Sequence, residues 1–86
     1  MGRNITDVID AIMEHVPEGH AMIAELEWVK NDAHWKAPEQ MRDCWYSLTC
    51  TVNGYIRSEP DRLLDWERSV VEALMGCTIE EAPHGK

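Results

Sequence analysis

Cysteine and histidine are the residues of this 86-residue chain that could carry nucleophilic or metal chemistry; there are three cysteines and four histidines. A cysteine nucleophile needs a neighbouring base and an oxyanion-stabilising site. Cys44 or Cys50 could be paired with His34, but neither lies in a nucleophile elbow or beside a glycine-rich loop. A domain of this size also leaves little room for a substrate cleft. We therefore expect that the protein is not an enzyme.

The spacing of the cysteines also argues against a metal centre. A structural zinc site needs about four nitrogen or sulfur ligands, usually supplied as closely spaced pairs. Cys44 and Cys50 are separated too widely for such a pair, and Cys77 is isolated. We expect no metal and no cofactor. An odd number of cysteines without a C-x-x-C pair is typical of a reducing compartment, so we expect a cytoplasmic protein. No apolar run approaches the roughly 20 residues of a membrane span, and we expect no membrane association.

Carboxylates are the most abundant reactive groups, and they are distributed unevenly. Between Arg3 and Lys30 the chain has no lysine or arginine. The carboxylates in this stretch are Asp7, Asp10, Glu14, Glu18, Glu25 and Glu27. Because the net charge is −8, direct binding to a phosphate backbone is disfavoured. A one-signed surface instead attracts a basic groove on another protein.

Four tryptophans are unusual in a chain without phenylalanine. Trp45 and Trp66 fall on apolar stripes and are expected in the core. If residues 21–36 are helical, Trp28 and Trp35 lie on one face beside carboxylates, as the anchors and rim of a binding surface do. The alternative, which we favour slightly, is a second core face that packs on a neighbouring helix. The predicted partner-binding residues are Asp7, Asp10, Glu14, Glu25, Glu27, Trp28, Asp32 and Trp35.

The first helix that positions these residues is indicated by its apolar spacing. Its apolar residues recur at helical intervals and leave the carboxylates on the far side. They are Ile5, Val8, Ile9, Ile12, Met13 and Val16. Thr6 is the predicted N-cap, and Pro17 with Gly19 ends the helix.

Residues 20–36 and 38–53 fit either of two structures. Helix formers fill the first segment, where Glu27–Lys30 and Asp32–Lys36 are spaced as ion pairs. Pro38 and Asn53-Gly54 mark the start and stop of a helix in the second segment. Both segments also alternate like half-buried strands, and a strand in one needs its partner in the other. We favour an all-α bundle of about four helices, with an α+β helix–β-hairpin–helix fold as the alternative.

The last predicted helix spans 59–75, with Ser58 and Asp61 as a capping-box variant and Gly76 as the stop. Its apolar residues cover more than half of its circumference, so the helix is central or buries a second face against another chain. Possible self-association residues are Val71, Met75 and Glu67, although for Glu67 we favour a place at the margin of the core, where it forms a salt bridge or snorkels to solvent. Residues 78–86 are expected to form a loose acidic tail on a single domain spanning 1–86.

These patterns predict a non-enzymatic acidic protein that binds a basic site of another protein. In its sharper form the protein is a nucleic-acid mimic, a phage or mobile-element inhibitor of a host complex that handles nucleic acid. The alternative is a small homodimeric helical adaptor or assembly protein.

Overall fold

Four α-helices make up the fold in the computed structural model, which describes residues 3–56 and 62–76. They are α1 (Ile5–His15), α2 (Ala21–His34), α3 (Met41–Tyr55) and α4 (Asp65–Met75), and a 3-10 turn at Pro38–Gln40 leads into α3. The described residues contain no strand, so the all-α prediction is confirmed and the hairpin alternative is wrong. None of the helices in these two ranges is long and apolar enough to cross a membrane.

The pattern of buried residues in the middle of the chain has the spacing of helices and not the alternation of a β-hairpin. In α2 the buried residues are Met22, Leu26, Val29 and Ala33, and in α3 they are Cys44, Leu48 and Val52. Both sets recur every three or four residues and form one stripe per helix. The β-branched residues of α3 therefore contribute to a helix because its stripe packs into the core, which outweighs their intrinsic strand preference.

Asn4, and not the predicted Thr6, caps the N-terminus of α1. The Asn4 side-chain oxygen accepts hydrogen bonds from the Thr6 backbone N–H at 2.9 Å and from the Thr6 hydroxyl at 2.6 Å. Asn4 has the extended backbone of an N-cap, whereas Thr6 already lies within the helix. The prediction placed the cap two residues late because Ile5, which is 4% exposed, belongs to the helix and the core.

His20 caps α2 and joins three helices. Its Nδ1 accepts a hydrogen bond from the Met22 backbone N–H at 3.0 Å, which satisfies a donor at the helix start. The imidazole also meets the ring of Tyr55 at the end of α3 and the ring of Trp66 in α4, both edge to face. Gly19, with φ +83°, supplies the left-handed backbone of the preceding turn.

Helix α3 does not stop at Asn53-Gly54, as its sequence predicted, but continues to Tyr55. Gly54 is helical, and the Ile56 N–H closes the last turn on the Val52 carbonyl at 2.9 Å. Tertiary contacts hold this turn, since Ile56 is buried and the Tyr55 hydroxyl donates to Glu25 in α2.

Helix α4 begins at Asp65, so the prediction of a helix over 59–75 is wrong at its N-terminal end. Leu63 and Leu64 are not helical, and the Glu67 carboxylate accepts from the Leu64 N–H at 2.8 Å. Glu67 therefore caps its own helix. The predicted capping residues Ser58 and Asp61, and the predicted tail over 78–86, lie outside the described residues.

The helices pack as antiparallel neighbours around an aliphatic core. Helix α1 packs against both α2 and α4, and α2 packs against α3. The largest fully buried side chains are Ile9, Ile12, Met22, Leu26, Leu48, Val52 and Val70. Trp45 and Trp66 pack against this core while only half-buried, as expected of structural tryptophans.

Arg3 connects the start of α1 to the end of α4. Its guanidinium donates to the backbone carbonyls of Ala73, at 3.2 Å, and Leu74, and it lies 5.3 Å from the centre of the Trp45 ring. A cation at this position complements the negative end of the helix dipole. Gly76 ends α4 with φ +78°, and a Cβ added there would collide with the guanidinium.

Replacing two glycines by alanine should shift stability in opposite directions. Gly76→Ala forces a side chain into the left-handed region and against Arg3, and we expect a loss of about 1–2 kcal/mol. Gly54→Ala adds a methyl to a helical position with open space around it, and we expect a gain of about 0.5–1 kcal/mol. Urea unfolding followed by circular dichroism measures the free energy of unfolding of each variant. Changes of the same sign in the two variants would contradict the backbone conformations described for Gly54 and Gly76.

Candidate protein-binding surface

Two exposed tryptophans share one face of α2 with two carboxylates. Trp28 is 65% and Trp35 78% exposed. Glu25, Trp28, Asp32 and the C-cap residue Trp35 follow one another at helical spacing, and we call them the tryptophan stripe. Glu25 and Trp28 lie on the flank of α2 that faces α3. The buried stripe of α2 does not include either ring. The alternative prediction, that these tryptophans form a second core face, is therefore wrong for the described chain.

An open groove of about 320 Å³ lies between α2 and α3, beside the Glu25 and Trp28 end of the tryptophan stripe. Trp28 and Glu25 form its α2 wall, and the buried Val29 lies at its floor. The α3 wall carries small polar side chains at successive turns, namely Ser47, Cys50 and Thr51. This wall leaves the indole of Trp28 uncovered because none of its side chains is large enough to reach across.

A hydrogen bond fixes the carboxylate of Glu25 at one end of the groove. Its donor is the hydroxyl of Tyr55, at the end of α3. This bond is the main reason why the pKa of Tyr55 is raised above its ordinary value, with desolvation and the negative charge of Glu25 acting in the same direction. The sequence offered no signal for this pair, because the two residues are thirty positions apart on different helices.

The carboxylates of α1 form a second surface, which we call the acidic stripe. Asp7, Asp10 and Glu14 are exposed and lie at helical spacing opposite the buried face of α1. Asp10 pairs with Lys30 of α2 at 2.6 Å, so one member of the stripe also ties the two helices together. Asp7 and Glu14 make no ion pair with a described residue.

The remaining predicted carboxylates lie on opposite flanks of α2. Glu27 lines a shallow groove of about 390 Å³ between α1 and α2, where Lys30 reaches across to Asp10 instead of along the helix to Glu27. Asp32 lies on the α3 flank and forms the predicted pair with Lys36 at 3.8 Å. Seven of the eight predicted residues thus belong to the two stripes, and Glu27 lies apart from both in the groove between α1 and α2.

The predicted self-association residues are not equivalent. Val71 packs against the core, and Glu67 is occupied by its own helix cap. Met75 is 56% exposed, and Leu64, which the sequence did not single out, is 60% exposed. Leu64 is the N-cap residue of α4 and Met75 is its last residue, so the two exposed side chains lie at opposite ends of the helix.

The structure describes two of the cysteines, Cys44, which is buried, and Cys50, which is exposed. Burial raises the pKa of the Cys44 thiol, which opposes formation of a nucleophilic thiolate. Cys50 is exposed in the groove, and Cys77 lies outside the described residues. Within residues 3–56 and 62–76, no three histidine, cysteine or carboxylate side chains come together to hold a metal ion.

Comparison with known proteins adds no functional information. No protein-family model matches the chain, and no curated protein or solved structure is significantly similar to it.

Removing the acceptor of the Tyr55 hydrogen bond should lower the pKa of Tyr55. We expect Glu25→Ala to move that pKa toward its ordinary value, and Glu39→Ala, which removes an exposed carboxylate elsewhere, to leave it unchanged. Because the pKa is raised on folding, the bond stabilises the protein below the unfolded-state pKa, and this contribution is lost as the pH rises through the folded-state pKa. Titration of the tyrosine ring carbons by NMR measures the shift. An unchanged Tyr55 pKa in Glu25→Ala would contradict the assignment.

Proposed function

We propose that this protein is a non-enzymatic, acidic binding module of the cytoplasm that docks on a basic site of a larger protein. The tryptophan stripe is the contact surface, and the acidic stripe contributes the long-range attraction. In the sharper form of the proposal the partner belongs to a complex that handles nucleic acid, and the module inhibits it by occupying its nucleic-acid site. A protein of this kind would serve a phage or mobile element against a host defence.

The exposure of Trp28 and Trp35 on one face carries this proposal. Large aromatic side chains are enriched at the centres of protein interfaces, where they contribute most of the binding energy. Burying the exposed parts of both rings is worth roughly 5–7 kcal/mol before the cost of association, at about 25 cal/mol per Å². Glu25 and Asp32 beside the rings favour a partner surface of opposite charge.

The spacing of the acidic stripe limits what charge alone can do. Asp7, Asp10 and Glu14 rise along α1 by about 4.5 and 6 Å, whereas one strand of duplex DNA carries a charge about every 3.4 Å. The stripe is therefore less densely charged than the nucleic acid it would imitate. To occupy a nucleic-acid site, the protein therefore also needs the apolar contacts of the tryptophan stripe. We expect its affinity for the partner to depend less on salt concentration than the affinity of DNA for the same site does.

The test uses the full chain to capture a partner from lysate of its source or host, followed by affinity measurement on the purified partner. We expect duplex DNA or RNA to displace the module. The Trp28→Ala/Trp35→Ala variant should bind at least about 30-fold more weakly, because it removes two central aromatic contacts. Asp7→Asn/Glu14→Gln should weaken binding about three- to tenfold at low salt, mainly by slowing association.

Matched variants separate these effects from general changes in charge and exposed apolar area. Glu18→Gln/Glu39→Gln removes two exposed carboxylates outside both stripes, and Tyr46→Ala removes an exposed ring from the outer face of α3. Both should bind as the unmodified chain does. A partner that nucleic acid does not displace, and that binds the double tryptophan variant equally well, would overturn the proposal.

A second candidate function is a homodimeric adaptor or assembly protein. It is favoured by Leu64 and Met75, two exposed apolar side chains at the two ends of α4. A two-fold dimer would bring α4 of each copy against that of the other, because a symmetric interface uses the same patch twice.

A substitution on α4 tests the dimer without disturbing the core. Met75→Glu should convert a dimer to a folded monomer, because it places two like charges near each other at the interface. Val71 is unsuited to the test, since it packs against the core. Sedimentation equilibrium of the unmodified chain and of Met75→Glu measures the outcome, and a monomeric unmodified chain at high concentration would rule this candidate out.

A further inference from the structure

The groove between α2 and α3 combines a fixed negative charge with an exposed aromatic ring. The Tyr55 hydroxyl donates a hydrogen bond to one oxygen of the Glu25 carboxylate, and the remaining lone pairs of that carboxylate can accept from a further donor. The groove is also lined by Trp28, Val29, Ser47, Cys50 and Thr51. None of the described residues that line the groove is a lysine or arginine, so none of them compensates the charge of Glu25.

The cations of the chain nearest in sequence are directed elsewhere. Lys30 pairs with Asp10 on the opposite flank of α2, and Lys36 pairs with Asp32. Arg3 binds the carbonyls at the end of α4. These three cations are therefore engaged away from Glu25, and a cation carried on a long side chain of a partner could pair with its carboxylate.

We propose that this groove receives the side chain of an arginine from a protein partner. The proposal deepens the proposed function, on which it rests, by assigning the residue of the partner that the tryptophan stripe recognises. The guanidinium pairs with the Glu25 carboxylate and lies against the face of Trp28, while the aliphatic stem covers Val29. The hydroxyls of Ser47 and Thr51 accept from the remaining N–H groups.

The shape and chemistry of the groove favour arginine over other cationic groups. A guanidinium is planar, stacks on aromatic faces and donates in several directions, whereas a lysine ammonium is a compact and strongly hydrated charge. The groove offers a ring on one wall and hydroxyl acceptors on the other. Its volume of about 320 Å³ is at the lower limit of ligand pockets, which suits one long side chain rather than a folded segment.

The test uses N-acetyl-arginine amide as a probe and NMR of the full, ¹⁵N-labelled chain as the readout. Each of the four tryptophans has its own indole N–H signal, so the response of Trp28 can be separated from the other three. We expect the Trp28 signal to shift with a dissociation constant of about 1–10 mM, the range for a single side chain. N-acetyl-citrulline amide, which has the same shape without the charge, should cause no shift.

Variants assign the two contacts of the probe. Glu25→Gln keeps an acceptor for Tyr55 but removes the charge, and we expect binding about three- to tenfold weaker. Trp28→Leu should weaken binding to a similar extent, read from the backbone signals of Ser47 and Thr51. Tyr46→Leu and Glu39→Gln, which change exposed residues outside the groove and both stripes, should bind as the unmodified chain does. A dispersed spectrum confirms that each variant is folded.

The outcomes separate this inference from the function on which it rests. Equal shifts with arginine and citrulline, or unchanged binding in Glu25→Gln, would overturn the groove assignment even if a basic partner is captured and displaced by nucleic acid. Conversely, specific arginine binding at Trp28 supports the groove assignment even if the captured partner fails the displacement test. In that case only the proposed function is overturned.

Discussion

A small aliphatic core is the constraint on which the rest of this structure depends. The fully buried side chains are isoleucine, leucine, valine and methionine, and no aromatic ring is among them. Narrow helices packed around such side chains leave no space for an indole. Trp45 and Trp66 therefore lie at the edge of the core, and Trp28 and Trp35 lie outside it. The exposed rings are thus a consequence of how the core is filled, and the small residues of α3 leave one of them uncovered.

The fold class and the burial of the helices followed from the sequence because periodic apolar residues determine which face is buried. The ends of the helices followed less well. Asn4 replaces Thr6 as a cap because Ile5 is drawn into the core, and α3 passes Gly54 because Tyr55 and Ile56 make contacts with other parts of the fold. These contacts join residues that are distant in the chain, and local capping signals carry no information about them.

Part of the candidate site could be predicted from the sequence, because helical periodicity also determines which exposed residues share a face. Helical spacing placed Trp28 and Trp35 together and Asp7 with Glu14. It did not show that Lys30 would bind Asp10 across two helices and so separate the carboxylates into two surfaces. Nor could it show that Tyr55 orients Glu25, or that Glu67 serves its own helix. Each of these depends on which helices become neighbours, which is decided by packing of the whole core.

The contact of Arg3 with the end of α4 has a consequence for the topology of the chain. It brings the first and last described residues, Arg3 and Gly76, to the same corner of the bundle. A short peptide could join these points and the chain could be reopened at the Pro17–Gly19 turn without changing which helices touch. Such a circular permutant would form the same core with a different order of helices along the chain.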